Sequence, residues 1–280
     1  VLDRTITTDG VVGGLAVVAQ PRPGPALDSL LEPQGDAAAV SASSVLVPDP
    51  AVRARSALDD DPGTAWVAGQ GDRTPHLDVV LPRAVSVSWL RIAETAGLGA
   101  SQPVQVDVTV GGRTYPRSVD RQGYVRFPST RTRTIRLEIT AWQAVRSRDV
   151  ALQRDTVLPP GISELVLGEA QRYAVPVPRS STVELPCGFG PIVAVDGSAP
   201  VVTRIATTVG AVLDGGPASV VPCSTARLDA GTRRIVVRPT AEFSAVGLTW
   251  GTGSTTPAPE QPVIGSWSAD QRTVTVTPAG

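Results

Sequence analysis

Glycine and proline cut this chain into short apolar runs, and that punctuation limits what it can fold into. Runs rich in Val, Ile and Thr recur at Leu77–Leu81, Val85–Ile92, Val104–Val110, Thr134–Thr140, Ile192–Val195, Arg234–Val237 and Thr273–Thr277, between Gly, Pro and Asp clusters. β-Branched side chains pack well on a pleated sheet and lose rotamer freedom in a helix. With 27 glycines and 26 prolines in 280 residues, few windows are long enough for a stable helix. Only Ala26–Leu31 and Val150–Gln153 hint at a helical turn. The pattern predicts an all-β chain of sandwich type, and its length suffices for two domains with separate cores.

Denser punctuation marks the expected boundaries. Gln20–Pro25 and Glu32–Gly35 close an N-terminal strand segment, 1–37; a second boundary falls near Gly168–Arg172; and Gly251–Pro262 has the composition of a linker. The expected organisation is therefore segment 1–37, a β domain at 38–168, a second β domain at 169–250, and a linker with terminal strands at 251–280. The tail strands would pair with segment 1–37 or with residues outside the sequence.

Charge narrows the partners. Twenty-five basic residues, all arginine, face 26 acidic ones for a net charge of -1. Such a balance gives no global field to attract nucleic acid or an anionic membrane. Arg131, Arg133 and Arg136 alternate with Thr and Ile, as on the solvent face of a strand. No apolar run approaches the length of a membrane span. Val11–Ala19 is the nearest thing to a targeting segment, but Asp3 and Asp9 precede it where a basic cluster belongs, so it reads as a buried strand. A start at Val1 and an end at Ala279-Gly280 directly after a strand-like run suggest an interior piece of something larger.

Two cysteines, Cys187 and Cys223, are each preceded by proline. Zinc would need further ligands, and the single histidine, His76, is more than a hundred residues away. The pair reads as a disulfide, stabilising the fold by roughly 3 to 4 kcal/mol and implying an oxidising compartment; two buried free thiols are the alternative.

The stretch Ala57-Leu-Asp-Asp-Asp-Pro-Gly-Thr-Ala-Trp66 places oxygen ligands, a tight turn and a large aromatic side by side. Calcium takes oxygens from carboxylates, hydroxyls and carbonyls, and Pro62-Gly63 supplies a turn on which Asp59, Asp61 and Thr64 can converge. Trp66 would anchor the loop in a core. A solvated acidic turn is the alternative reading.

With Val40–Ser44, His76–Leu81, Val87–Ile92, Thr134–Thr140 and Gly161–Gly168, this loop resembles the discoidin, or coagulation factor 5/8 C-type, domain, the fold of galactose-binding-like carbohydrate-binding modules. The resemblance implies a jelly-roll sandwich at 38–168. It also implies a structural calcium held by Asp59, Thr64 and Glu164 of the last strand, with backbone carbonyls from Ala57 and Asp61. Asp60 departs from the family's glycine and either tolerates a left-handed conformation, as Asp can, or distorts the loop; His76 departs from its usual aromatic. Leu185–Gly197, Val221–Cys223, Arg233–Pro239, Gly247–Trp250 and Ser266–Val276 extend the likeness over nearly the whole chain. Together they resemble the extracytoplasmic region of actinobacterial arabinofuranosyltransferases of the AftD type, membrane glycosyltransferases that build cell-wall arabinan. In that family the donor site and catalytic carboxylate belong to the membrane portion, so this piece is expected to be inert as a transferase.

The residues agree that catalysis is not its task. A Ser-His-Asp triad has only His76 on which to centre, no Gly-x-Ser-x-Gly elbow presents a nucleophile, and no glycine-rich phosphate cradle appears. Sugar recognition needs aromatic faces with planar hydrogen-bonding groups. The candidates are Trp142, Tyr124 within Asp120-Arg-Gln-Gly-Tyr124, Arg113 with Tyr115, and Arg73 near His76, while Trp66, Trp89 and Trp250 read as core. The expected role is to hold arabinan or galactan near a membrane-embedded active site. A structural or protein-contact scaffold is the alternative, and the aromatic content of 4% favours it.

Overall fold

The computed structural model describes residues 1–33, 35–93, 97–149, 153–251, 263–267 and 272–275. It is an all-β architecture of two sandwiches with separate cores.

The first sandwich is built on two long neighbouring strands, His76–Ala93 and Tyr124–Gln143. Glu164–Val166 and Ala39–Ala42 pair with the former, Gln102–Val110 with the latter, and Arg113–Ser118 closes the far edge, all antiparallel. The register between the long strands shifts between Val80 and Val85 and again between Val87 and Trp89. Such bulges sharpen local twist and bend the strand, so one sheet wraps both sides of a core that includes Leu77, Leu90, Val106, Ile135, Leu137 and Ile139. The arginine run behaves as expected: Arg131, Arg133 and Arg136 are exposed while Ile135 and Leu137 between them are buried.

The second sandwich corrects the expected organisation. Segment 1–37 is not a unit of its own. Leu2–Thr8 pairs with Gly231–Arg238, which also pairs with Ile192–Val195, giving one sheet. Leu15–Pro21 sits between Ala218–Pro222 and Phe243–Trp250 in the other, which continues through Thr203–Thr208 to Thr182–Leu185. The cause is period-two burial: Leu15, Val17 and Ala19 face the core while Ala16, Val18 and Gln20 face out. A strand with one apolar face has to find a second sheet, and this one packs into the core formed mostly by residues beyond 180. The same alternation makes the Val11–Ala19 stretch half-exposed rather than fully buried, with Val18 44% exposed.

The first sandwich is thus inserted into the second, and its two ends lie together. Ala38 N–H donates to Tyr173 O at 2.8 Å. The buried guanidinium of Arg55 donates to Ala38 O on the incoming segment and to Val175 O on the outgoing one. The helical turn expected at Ala26–Leu31 is the short helix Pro25–Leu30, whose Leu27 is buried in the second core. The other, at Val150–Gln153, falls largely outside the described residues, as does most of the tail. Within the tail Val263–Trp267 and Arg272–Thr275 form a hairpin with each other, and no pairing of these strands with segment 1–37 is seen among the described residues. Cys187 and Cys223 form the disulfide, with Cα atoms 6.0 Å apart. Among the described residues no helix is long and apolar enough to cross a membrane.

Candidate functional site

The acidic loop leaves a short 3-10 turn, Ala54–Ala57, whose Ala57 and following Leu58 are buried. Trp66 anchors its far side: the indole is fully buried and its N–H donates to Ser44 O at 2.9 Å. Between these anchors, Thr64 Oγ1 donates to both carboxylate oxygens of Asp59, at 2.9 and 3.0 Å. Asp61 N–H donates to Asp59 Oδ1 at 3.1 Å. Asp60 takes the left-handed conformation, φ 55°, and its N–H donates to Glu164 Oε2 at 3.0 Å. Asp59 is thus bonded to Thr64, and Glu164 to the neighbouring Asp60 backbone.

Asp61 is not part of that group. Its carboxylate accepts from Gly63 N–H at 2.9 Å and from Arg179 Nη1 at 2.7 Å, and the other arm of Arg179 grips Asp214 of the second sandwich. Electrostatics separates the carboxylates accordingly. Burial raises Asp59 despite its hydrogen bonds from Thr64 and Asp61. Burial, reinforced by the nearby Asp59 and Asp60, pushes Glu164 up to about 8, against the hydrogen bond from Asp60 N–H. Burial acts on Asp61 too, but the Arg179 and Gly63 hydrogen bonds and the Arg179 charge hold it below the usual range.

The donor set fits a calcium ion in part. Asp59 holds the Thr64 hydroxyl and Glu164 the Asp60 N–H, and two desolvated carboxylates with a hydroxyl are oxygen chemistry suited to a hard cation. Asp61 offers its side chain to arginine, and no group of three or more Asp, Glu, His or Cys side chains is placed to hold a metal among the described residues.

The six candidate sugar contacts do not gather in one place. Trp142 is half-buried against the first core, opposite Pro103. Tyr124 is half-buried too, tilted against Trp89 with ring centroids 5.4 Å apart, with the guanidiniums of Arg126 and Arg91 over its ring at 4.5 and 5.9 Å. Tyr115 stacks on Phe127 at 6.3 Å beneath Arg117. Arg113 is exposed where the Gln102–Val110 and Arg113–Ser118 strands turn. Arg73 is exposed in the loop before His76, and the His76 ring lies 2.7 Å from Thr74 O and 3.2 Å from Arg136 Nη2. Of the three tryptophans read as core, Trp66 is buried, while Trp89 and Trp250 are half-buried.

A polar cleft of about 620 Å³ opens at the Asp120–Gly123 turn. Arg91, Gln102, Asp120, Arg121, Gln122 and Gln143 supply its polar walls, and Gly123 and Gln143 adjoin Tyr124 and Trp142 in the chain. Asp120 shapes the wall. It accepts from the N–H groups of Gln122 and Tyr124, both at 2.9 Å, and pairs with Arg126 at 2.8 Å, interactions that depress its pKa. Arg91 Nε is buried without a hydrogen-bond partner. The sequence pointed to the Asp120–Tyr124 turn but not to Arg91, Gln102 or Gln143. These three come from different strands and meet only through the pairing Gln102↔Gln143 and Arg91↔Tyr124, which no local pattern announces.

The inserted β-sandwich carries a polar cleft of amides and guanidiniums, and comparison with known proteins gives both its class, a carbohydrate-binding module, and its family. Residues 34–179, more than half the chain, match the third carbohydrate binding module of arabinofuranosyltransferase D, and the chain belongs to that family. It is similar to an alpha-(1->3)-arabinofuranosyltransferase of Mycolicibacterium smegmatis, 33% identical over 244 residues, covering 81% of this chain and 17% of the relative. The Mycobacterium tuberculosis protein of the same description is 32% identical, covering 98% of this chain and 21% of its own length. The chain thus spans about a fifth of those relatives. The cryo-EM structure of arabinofuranosyltransferase AftD from Mycobacteria superposes with a TM-score of 0.79 at 29% identity, over 99% of this chain and 22% of that one.

Proposed function

We propose that this chain is the non-catalytic, glycan-holding region of an extracytoplasmic arabinofuranosyltransferase, and that it binds arabinan- or galactan-type cell-wall polysaccharide. The observation that carries this reading is the cleft at Arg91, Gln102, Gln122 and Gln143. Its size suits a small oligosaccharide, and planar amides and guanidiniums match pairs of sugar hydroxyls. Holding the acceptor on the same polypeptide as the transferase raises its local concentration without any role in chemistry. The disulfide agrees with the cell-wall side of the membrane.

The same reading places a structural calcium on the acidic loop, with Asp59 and Glu164 as its carboxylates and Thr64 and the Ala57 carbonyl as further oxygens. Its work is to neutralise a pair of desolvated acids and fix the loop to the last strand. Glycan recognition lies elsewhere.

The test is calorimetric titration of the purified chain with linear arabino- and galacto-oligosaccharides. Arg91→Ala or Gln122→Ala should weaken binding at this cleft about tenfold, the equivalent of one or two hydrogen bonds. No binding at millimolar sugar by the folded chain would remove the reading and leave the scaffold role, which the half-buried settings of Trp142 and Tyr124 favour.

A further inference from the structure

The family match ends at residue 179, yet the second sandwich carries a cleft of its own. It encloses about 500 Å³ between the turn after Val195, the residues that follow Cys223, and the end of the strand Phe243–Trp250. We propose that this is a second glycan-binding site, for a neutral pentose or hexose oligosaccharide.

Three features point to that ligand class. The walls combine an aromatic, Trp250, with the hydroxyl residues Ser198, Ser224 and Thr225 and one group of each charge, Arg227 and Asp229. An aromatic face for the C–H side of a sugar ring, with hydroxyls and planar charged groups for its oxygens, is complementary to a polyol. The opposite charges cancel, so the cleft has no bias toward an anion. Neither Arg227 nor Asp229 is held in an ion pair among the described residues, leaving both free to face a ligand.

Trp250 supplies the second observation. Its indole N–H is buried and has no hydrogen-bond partner, whereas the equivalent group of Trp66 donates to Ser44 O. Its burial keeps that N–H away from the open cleft, so what the indole offers a ligand is ring surface and not a donor.

The third feature is a rigid frame. Ser224 follows Cys223, tied to Cys187 by the disulfide. Arg227–Leu228 pairs with Val12–Gly13, Asp229 O accepts from Thr8 Oγ1 at 3.3 Å, and Ser198 N–H donates to Val195 O at 3.0 Å. A cleft whose walls are pinned from several strands loses little freedom on binding. Two sites on one chain would also let a polymer engage both, with the second contact made at high effective concentration.

The site is tested by ¹H–¹⁵N spectra of the intact chain during titration with a linear arabino-oligosaccharide and, separately, a linear galacto-oligosaccharide. The Trp250 indole resonance should move in a saturable way with at least one of them. An Arg227→Ala/Asp229→Ala double variant, both residues being exposed, should weaken that response about tenfold, and Arg91→Ala should leave it unchanged. A Trp250 resonance stationary at millimolar concentrations of both sugars overturns the proposal. If Arg91→Ala removes all binding, the first cleft stands and this one falls; if only the Arg227/Asp229 pair matters, the reverse holds.

Discussion

Replacing Glu164 by glutamine keeps the side chain's shape and its acceptor for Asp60 N–H while removing its charge, so it isolates the electrostatics of the acidic loop. An ordinary glutamate ionises near 4.5, and burial beside Asp59 and Asp60 moves this one to about 8. At full weight the gap corresponds to about 5 kcal/mol. Glu164 is only half-buried, and solvent screening reduces the usable figure to about 2 kcal/mol. The sign follows from proton binding. Between 4.5 and about 8 the folded chain holds a proton that the unfolded chain has released, so the contribution is complete below 4.5 and is lost as pH rises through about 8. In a chelating buffer, thermal melts from about pH 5 to about pH 9 should show wild-type stability falling by about 2 kcal/mol more than that of Glu164→Gln, or about 6 °C in Tm. Saturating calcium should raise the wild-type Tm most on the alkaline side, where both acids are ionised, and leave the variant almost unmoved. Parallel wild-type and variant profiles in the chelator would refute the burial argument; an equal calcium response in both would refute the placement of the ion.

Replacing Cys187 and Cys223 by serine opens a loop of sequence separation 36, and chain entropy gives a loss of roughly 4 kcal/mol, to be read from denaturant midpoints under oxidising conditions. Gly123 has φ +84° and a Cβ built there lies 2.0 Å from Ile92 O, so Gly123→Ala should cost more than about 3 kcal/mol. Gly112, at φ +76° with open space around it, should tolerate alanine at about 1 kcal/mol. Equal melting temperatures for the two glycine variants would show that the close approach at Gly123 is not what matters.

What could be read from the sequence was what depends on nearby residues. Period-two runs gave the strands, the Arg131–Arg136 alternation gave an outward face, and Pro62-Gly63 with Trp66 gave a loop pinned to a core. Proline-flanked cysteines gave the disulfide. What could not be read depends on which strands become neighbours. Nothing in Leu15–Pro21 says that its partners are Ala218–Pro222 and Phe243–Trp250, some two hundred residues later. The Pro- and Gly-rich stretch that separates 1–37 from the rest is a crossing point between domains rather than the end of one. For the same reason Asp61 looked like a metal ligand: only the fold brings Arg179 to it. Trp142 was a candidate sugar contact, yet pairing with Gln102–Val110 packs it against the first core.

The carbonyls of Ala38 and Val175, held by one arginine, have a consequence for how the protein is made. Since the ends of the inserted sandwich meet, it can close as soon as its own residues have left the ribosome, independently of what surrounds it. Leu2–Thr8 and Leu15–Pro21, which precede the insert, have to wait with their apolar faces unpaired until Ala218–Trp250 has been synthesised. Pairing across so long a separation is intrinsically slow. These two strands are thus the last of the second sandwich to find their partners, and during that interval they are open to mispairing with another copy.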